Sequence, residues 1–251
     1  MPSEQATALV LRSVEFSETS LVVTLFTREF GKRGALAKGG KRLKGPFESA
    51  LDLLALCRIV FLRKSSDALD LLTEAKLLRR FRPPPGDLLA LYAGYYLAEL
   101  VGELTDQGDP NPELFDLADR TLEALATARP VAPWLLRFEL GALRLVGHVP
   151  LLDSCVECGR AVGHEGRVAL GTVDGGVFCP RCRGGKRQVV SASPEAVAAM
   201  LRLVERPLDE EPGQIDARVA GELRGLLNRY VANLVGHPLR MHRYLAPLWK
   251  R

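Results

Sequence analysis

An α+β multidomain fold is predicted, a small N-terminal β-barrel followed by an α-helical domain that carries a cysteine-rich insertion. Three observations predict it: short β-type runs before residue 82, a change to helical periodicity after Pro83-Pro84-Pro85-Gly86, and two C-x-x-C pairs beyond residue 150. The 251 residues suit one large domain or two to three small ones. With 47% hydrophobic and 25% charged residues, the chain has the balance of a folded protein rather than of a disordered tail. No charge-free apolar stretch of about 18 residues occurs, so no membrane span is expected. Met1 to Gln5 is polar and lacks a basic region followed by an apolar run, so no signal peptide is expected and the cytoplasm is the predicted compartment.

Residues 1–82 read as strands. Ala6 to Phe16 and Ser20 to Thr27 are rich in Val, Leu, Thr and Phe and are separated by Glu18-Thr19. Glu29 to Lys32 reads as a turn before a third run, Gly34 to Ala37, and Gly39-Gly40 opens a basic loop. Ala50 to Leu62 and Leu69 to Leu78 complete the set, although Leu53-Leu54-Ala55 breaks the alternation and leaves helix open there. Short strands in so few residues point to a five-stranded OB-fold barrel. Cys57, inside an apolar run, reads as a small buried hydrophobe.

The proline run ends the barrel, and the period then changes. Asp87 can cap a helix bearing Leu88, Leu91, Tyr92, Tyr95, Leu100, Val101 and Leu104. Asn111-Pro112 repeats a cap-then-proline start, and Trp134 to Val146 supplies a third helix ending near Gly147. Ser193-Pro194 starts a helix through Val204, and Ile215 to Leu234 forms a long amphipathic one. The expected organisation is a barrel over 1–82, helical domain over 83–150 and 188–251, and an insertion over 151–187.

Cys155-Val-Glu-Cys158 and Cys179-Pro-Arg-Cys182 have the separation of a four-cysteine zinc finger. Each pair forms a knuckle that points two thiolates at one centre, and two knuckles complete a tetrahedron around one structural Zn2+. Asp174-Gly175, between Val168–Leu170 and Val177-Phe178, predicts a hairpin joining them. Four thiolates leave no open coordination position, which argues against catalysis by this metal. A nucleobase deaminase needs His-x-Glu before Pro-Cys-x-x-Cys, whereas here Glu165 directly follows His164 and Phe178 stands in the proline position. Two disulfides would suit an exported chain. The scattered histidines 148, 164, 237 and 242 form no nucleophile–base constellation, so no enzyme activity is predicted.

Charge is uneven. Through Arg82 there are 15 Lys and Arg against 9 Asp and Glu, and from Pro83 to Pro150 there are 4 against 10. The basic front end is the footprint of a polyanion partner. Lys32, Arg33, Lys38, Lys41, Arg42 and Lys44 are the candidate phosphate contacts, with Gly39 and Gly40 allowing close backbone approach. The segment resembles a P-loop only superficially, since Gly40 and Lys41 stand where Lys and a hydroxyl residue are required.

The run Phe30-Gly31-Lys32-Arg33-Gly34-Ala35-Leu36-Ala37-Lys38-Gly39-Gly40-Lys41-Arg42, with the two C-x-x-C pairs, resembles the bacterial recombination mediator family RecO. The resemblance covers essentially the whole chain in order. It implies a DNA-binding protein of homologous recombination and DNA repair, associated with the nucleoid. It further implies binding of single- and double-stranded DNA, annealing of strands coated with single-strand-binding protein, and action with the partner RecR to load RecA. The family also implies that the helical domain docks the C-terminal tail of single-strand-binding protein, for which Arg137, Arg144 and Arg224 are candidate cations. Two other classes compete. A zinc-ribbon RNA-binding or transcription factor would use Arg181, Arg183, Lys186 and Arg187 beside the second knuckle, and a DNA-processing enzyme would need clustered carboxylates that are not visible.

Overall fold

The computed structural model describes residues 3–42, 45–47, 50–64, 68–127 and 129–246. Two compact units result, Met1–Arg129 and Pro130–Arg251. In the first, β1 (Ser3–Glu15), β2 (Leu21–Thr27), β3 (Gly31–Ala37), β4 (Leu56–Leu62) and β5 (Asp70–Arg79) close a barrel in the order β1-β2-β3-β5-β4. Among these strands β3 and β5 pair in parallel, through Ala35–Asp70, Leu36–Leu71 and Ala37–Leu72. This is the five-stranded OB-type barrel expected from the short runs.

Strand alternation builds the interior. Ala6, Ala8 and Val10 meet Val23, Leu25, Ala35 and Ala37 inside, with Cys57, Ile59, Phe61, Leu72 and Ala75 from the other wall. The Cys57 thiol, pushed up to about 12 by burial, is the inert hydrophobe the sequence suggests. The opposite faces of β1 and β2 are also apolar, where Leu9 lies in register with Phe26. Helix α2 (Pro112–Leu125) covers that face through Phe115, 5.8 Å from the Phe26 ring, and α1 (Leu88–Leu104) packs on α2 and β1.

Two local expectations change. β3 starts at Gly31, earlier than the sequence pattern suggests, because Gly31 leaves the preceding turn at φ +65° against the backbone of Asp109. The apolar run from Ala50 pairs as a strand only from Leu56. Before that, Ala50 and Leu51 join the barrel core, and Leu54 turns the chain at φ 63° with its N–H on the Val10 carbonyl. A Cβ on Gly31 would sit 2.1 Å from the Asp109 carbonyl oxygen. Gly31→Ala should therefore cost more than about 1 kcal/mol, from a left-handed φ plus a backbone clash. A lowered urea midpoint with unchanged m checks it.

The second unit holds α3 (Val131–Leu145), α4 (Pro194–Glu205), α5 (Ala217–Val235) and the short α6 (His242–Leu245). Between α3 and α4 runs a three-stranded sheet, β7 (Gly176–Phe178), β6 (Val168–Gly171) and β8 (Val189–Ala192) in that spatial order. The predicted caps form: Asp87, Asn111 and Ser193 accept from Ala90, Leu114 and Ala196 N–H at 2.9, 3.0 and 3.2 Å. Each such cap contributes about 1 kcal/mol.

Arg137 and Arg144, on α3, have a use the sequence did not disclose. Arg137 donates to the carbonyls of Leu203, Arg206 and Pro207, and Arg144 donates to Val204 at 2.5 Å. Both cations thus cap the C-terminal end of α4, where carbonyls lack helical partners and the dipole is negative. Burial lowers the Arg137 pKa to about 10. Arg224 is likewise buried, paired with the Glu139 carboxylate. Arg137 and Arg224 are therefore internal structural cations rather than surface ones.

Candidate metal centre and basic loop

The insertion folds around its cysteines. Cys155 N–H donates to Arg160 at 2.8 Å and Gly159 N–H returns to the Cys155 carbonyl at 2.8 Å, a tight knuckle that Gly159 leaves at φ +70°. The second knuckle repeats the pattern, with Cys182 and Arg183 N–H on the Cys179 carbonyl at 3.0 and 3.1 Å. Here Gly185 takes the positive φ, +73°. The predicted hairpin joins the knuckles: β6 and β7 pair antiparallel from Gly171–Gly176 to Ala169–Phe178. Lys186, after the second knuckle, pairs with Glu157 of the first at 2.6 Å and lies 5.2 Å over the Phe178 ring.

All four Sγ atoms lie within 4.8 Å of one another, and Cys158 and Cys179 are 3.8 Å apart. Among the described residues this is the His, Cys, Asp and Glu cluster close enough to share an ion. Backbone donors favour the thiolate form at two of the four. The Cys179 and Cys158 backbone N–H groups draw the Cys155 thiol down to about 6, and the Arg160 N–H lowers Cys158. Cys182 is instead pushed up to about 12 by the Cys179 and Cys158 side chains. Four thiolates cannot share one small volume unless a cation sits among them. The residues therefore fit a metal ion. His164 does not join them, since its Nε2 lies 2.7 Å from the Leu152 carbonyl.

The six candidate phosphate contacts separate into different environments. Lys32 Nζ reaches the carbonyls of Gly102 (2.6 Å) and Thr105 at the end of α1, and burial lowers its pKa. Arg33 pairs with the buried Asp70 carboxylate at 2.6 Å. Neither is presented on the surface like Lys38, Lys41 and Arg42, which are exposed. Lys44 lies outside the described residues. The loop is shaped by backbone turns, Gly40 N–H to Ala37 (3.2 Å) and Arg42 N–H to Gly39 (3.0 Å), with Gly39 at φ +77°. Lys41 binds it to the β1–β2 turn through its N–H on Thr19 at 3.0 Å and its Nζ on Glu15 at 2.9 Å.

Two further features lie beyond what sequence patterns disclose. Arg58 and Lys76 stand directly opposite each other on the exposed side of β4–β5. Like charges in register are unfavourable without an anion between them, but the register that opposes them is invisible in either strand alone. Phe16, in the β1–β2 turn, is 66% exposed. Around the second knuckle, by contrast, Lys186 is already taken by Glu157.

Fold and site together define an OB-barrel protein with a helical second unit that carries a four-cysteine knuckle pair. Comparison with known proteins places that class. The family model for the recombination protein O N-terminal region matches residues 1–81, and that for its C-terminal region matches residues 85–243. A DNA repair protein RecO of Rhodopirellula baltica is 42% identical, over 95% of this chain and 97% of its own length. The same-named proteins of Anaeromyxobacter dehalogenans and Bacillus pumilus are 36% and 31% identical, over 98% and 94% of this chain and 96% and 91% of their lengths. The chain belongs to the recombination protein O family. Among the described residues no helix is long and apolar enough to cross a membrane.

Proposed function

We propose that this chain is a DNA-binding recombination mediator of DNA repair, a binding protein rather than an enzyme, acting at the nucleoid. One observation carries the reading beyond the family membership: the exposed cations Lys38, Lys41 and Arg42 are held together on a glycine-shaped loop of an OB-type barrel. Such loops bind phosphates without regard to sequence and leave the bases free to pair, as annealing requires. Lys41 exchanges its exposed Glu15 partner for a phosphate at little cost, since surface pairs contribute about 0–1 kcal/mol. Lys32 and Arg33 act indirectly, by holding the barrel that presents the loop.

The ion is one structural Zn2+ held by Cys155, Cys158, Cys179 and Cys182. With Zn–S bonds of about 2.3 Å, a tetrahedron has S···S edges of about 3.8 Å, and the Cys158–Cys179 separation is 3.8 Å. The ion supplies a cross-link and no chemistry, because all four coordination positions are thiolates.

The partners of this reading are single- and double-stranded DNA, RecR, and the C-terminal tail of single-strand-binding protein. Burial of Arg137 and Arg224 removes two of the three cations considered for that tail. The test is annealing of complementary strands precoated with single-strand-binding protein. The full-length chain should accelerate it above the spontaneous rate. No acceleration, or cleavage of either strand once magnesium or manganese is added, would sink the mediator reading.

A further inference from the structure

We propose that Phe16 is a base-stacking residue, which makes the barrel's basic loop a reader of single strands; this rests on the DNA-binding reading above. The β1–β2 turn is closed by its own bonds: Phe16 N–H to Ser20 at 3.0 Å, Ser17 N–H to Ser20 at 3.4 Å, and Ser20 N–H to Ser17 Oγ at 3.2 Å. On that framework Phe16 is 66% exposed, the most exposed of the large apolar side chains described. Its neighbours Ser17, Glu18, Thr19 and Ser20 are small or polar, and among the described residues no ring or cation stacks on it.

The turn that carries the ring is bonded to the loop that carries the cations. Lys41 joins the two loops through Thr19 and Glu15, the residue before Phe16. Gly40 completes the fit, since a Cβ there would lie 3.2 Å from Leu21 Cδ1 and from the Ala37 carbonyl. An exposed aromatic beside fixed cations is the combination that holds single-stranded nucleic acid: cations take phosphates, and the ring takes the face of a base. In a duplex both faces of an internal base are covered by its neighbours, so the ring has nothing to stack on. The cations therefore bind either form, and Phe16 adds affinity for the unpaired one alone.

The test uses the full-length chain, a fluorescent thymidine homopolymer strand and a blunt duplex of equal length. Phe16→Ala should weaken strand binding about 5- to 150-fold, the range for removal of one stacked base, and change duplex binding by less than about twofold. Phe16→Trp should retain strand affinity, with its emission quenched on adding the strand, while Phe16→Leu, apolar but without a π-face, should behave as Phe16→Ala. Equal losses for strand and duplex in Phe16→Ala would overturn the inference. No loss for either would also overturn it, and would mark the ring as a protein contact. The variant Lys38→Ala/Lys41→Ala/Arg42→Ala separates this from the underlying reading. Weakening of both substrates there, with none in Phe16→Ala, keeps the loop and removes the stack. A flat triple variant with a strand-selective Phe16→Ala does the reverse.

Discussion

Cys155→Ser or Cys179→Ser should lose the metal and unravel the insertion over 151–187 while the barrel unit stays folded. Both thiols are buried, and the cluster packed around the cysteines is small: Cys155, Phe178 and Cys179 with partly buried Val156, Val162 and Val189. So small a core cannot offset the ordering entropy of its residues. Structural zinc contributes on the order of 10 kcal/mol of apparent binding energy in such modules, which makes it the largest single stabilising interaction available here. Loss should spread as far as β8 and α5. β8 pairs with β6, and α5 holds the hairpin through Asn233 to Thr172 at 2.8 Å. It should stop short of Met1–Arg129, which has its own barrel core. Elemental analysis should give about one zinc per chain in the parent and far less in either variant. Amide exchange should accelerate across β6 to β8 and remain slow in β1 to β5. Full zinc content in Cys155→Ser would contradict the account.

Arg33→Ala is the second large effect, and it should fall on stability. Arg33 Nη2 and Nε lie 2.6 and 2.8 Å from the same Asp70 oxygen, and Lys64 N–H takes the other at 3.0 Å. Asp70 is 1% exposed. Removing the guanidinium leaves a buried carboxylate with, among the described residues, one backbone donor, a change that costs about 3–5 kcal/mol. Replacing both partners with apolar residues of similar volume should recover most of the loss, because the penalty lies in the stranded charge rather than in the pair itself. Denaturant titration of Arg33→Ala, Asp70→Leu and Arg33→Met/Asp70→Leu measures this directly. An Arg33→Ala protein with an unchanged midpoint but weakened DNA binding would return Arg33 to the residues that touch phosphate. Exposed Lys38, Lys41 and Arg42 should behave oppositely, with stability changes within about 0.5 kcal/mol when each becomes Ala.

Patterns that depend on local spacing were legible. The two C-x-x-C pairs, the hairpin at Asp174-Gly175, the caps at Asp87, Asn111 and Ser193, and most of the strand runs all appear where local chemistry requires them. What was hidden depends on distant partners. Lys32 reads from sequence as a phosphate contact, and the two carbonyls its Nζ reaches at the end of α1, about seventy residues on, leave no local signal. Arg137 and Arg224 look like surface cations on amphipathic helices until α4 and Glu139 enclose them. Ala50, Leu51 and Leu54 are apolar enough for a strand, but they plug the barrel and turn the chain. β8 has only Val189 and Val190 as an apolar signal, too short to separate from loop by period alone.

The most direct measurement is the salt dependence of DNA affinity for the parent and for Lys38→Ala/Lys41→Ala/Arg42→Ala. Cations that neutralise phosphates release counterions, so every phosphate left unneutralised should flatten the plot of log affinity against log salt by about 0.7 for a single strand and 0.9 for a duplex. The expected result is a slope smaller by about 2 on a single strand. Affinity should fall by similar factors for unrelated sequences, with an unchanged melting temperature. An unchanged slope in the triple variant would contradict the account and move the DNA away from the barrel loop.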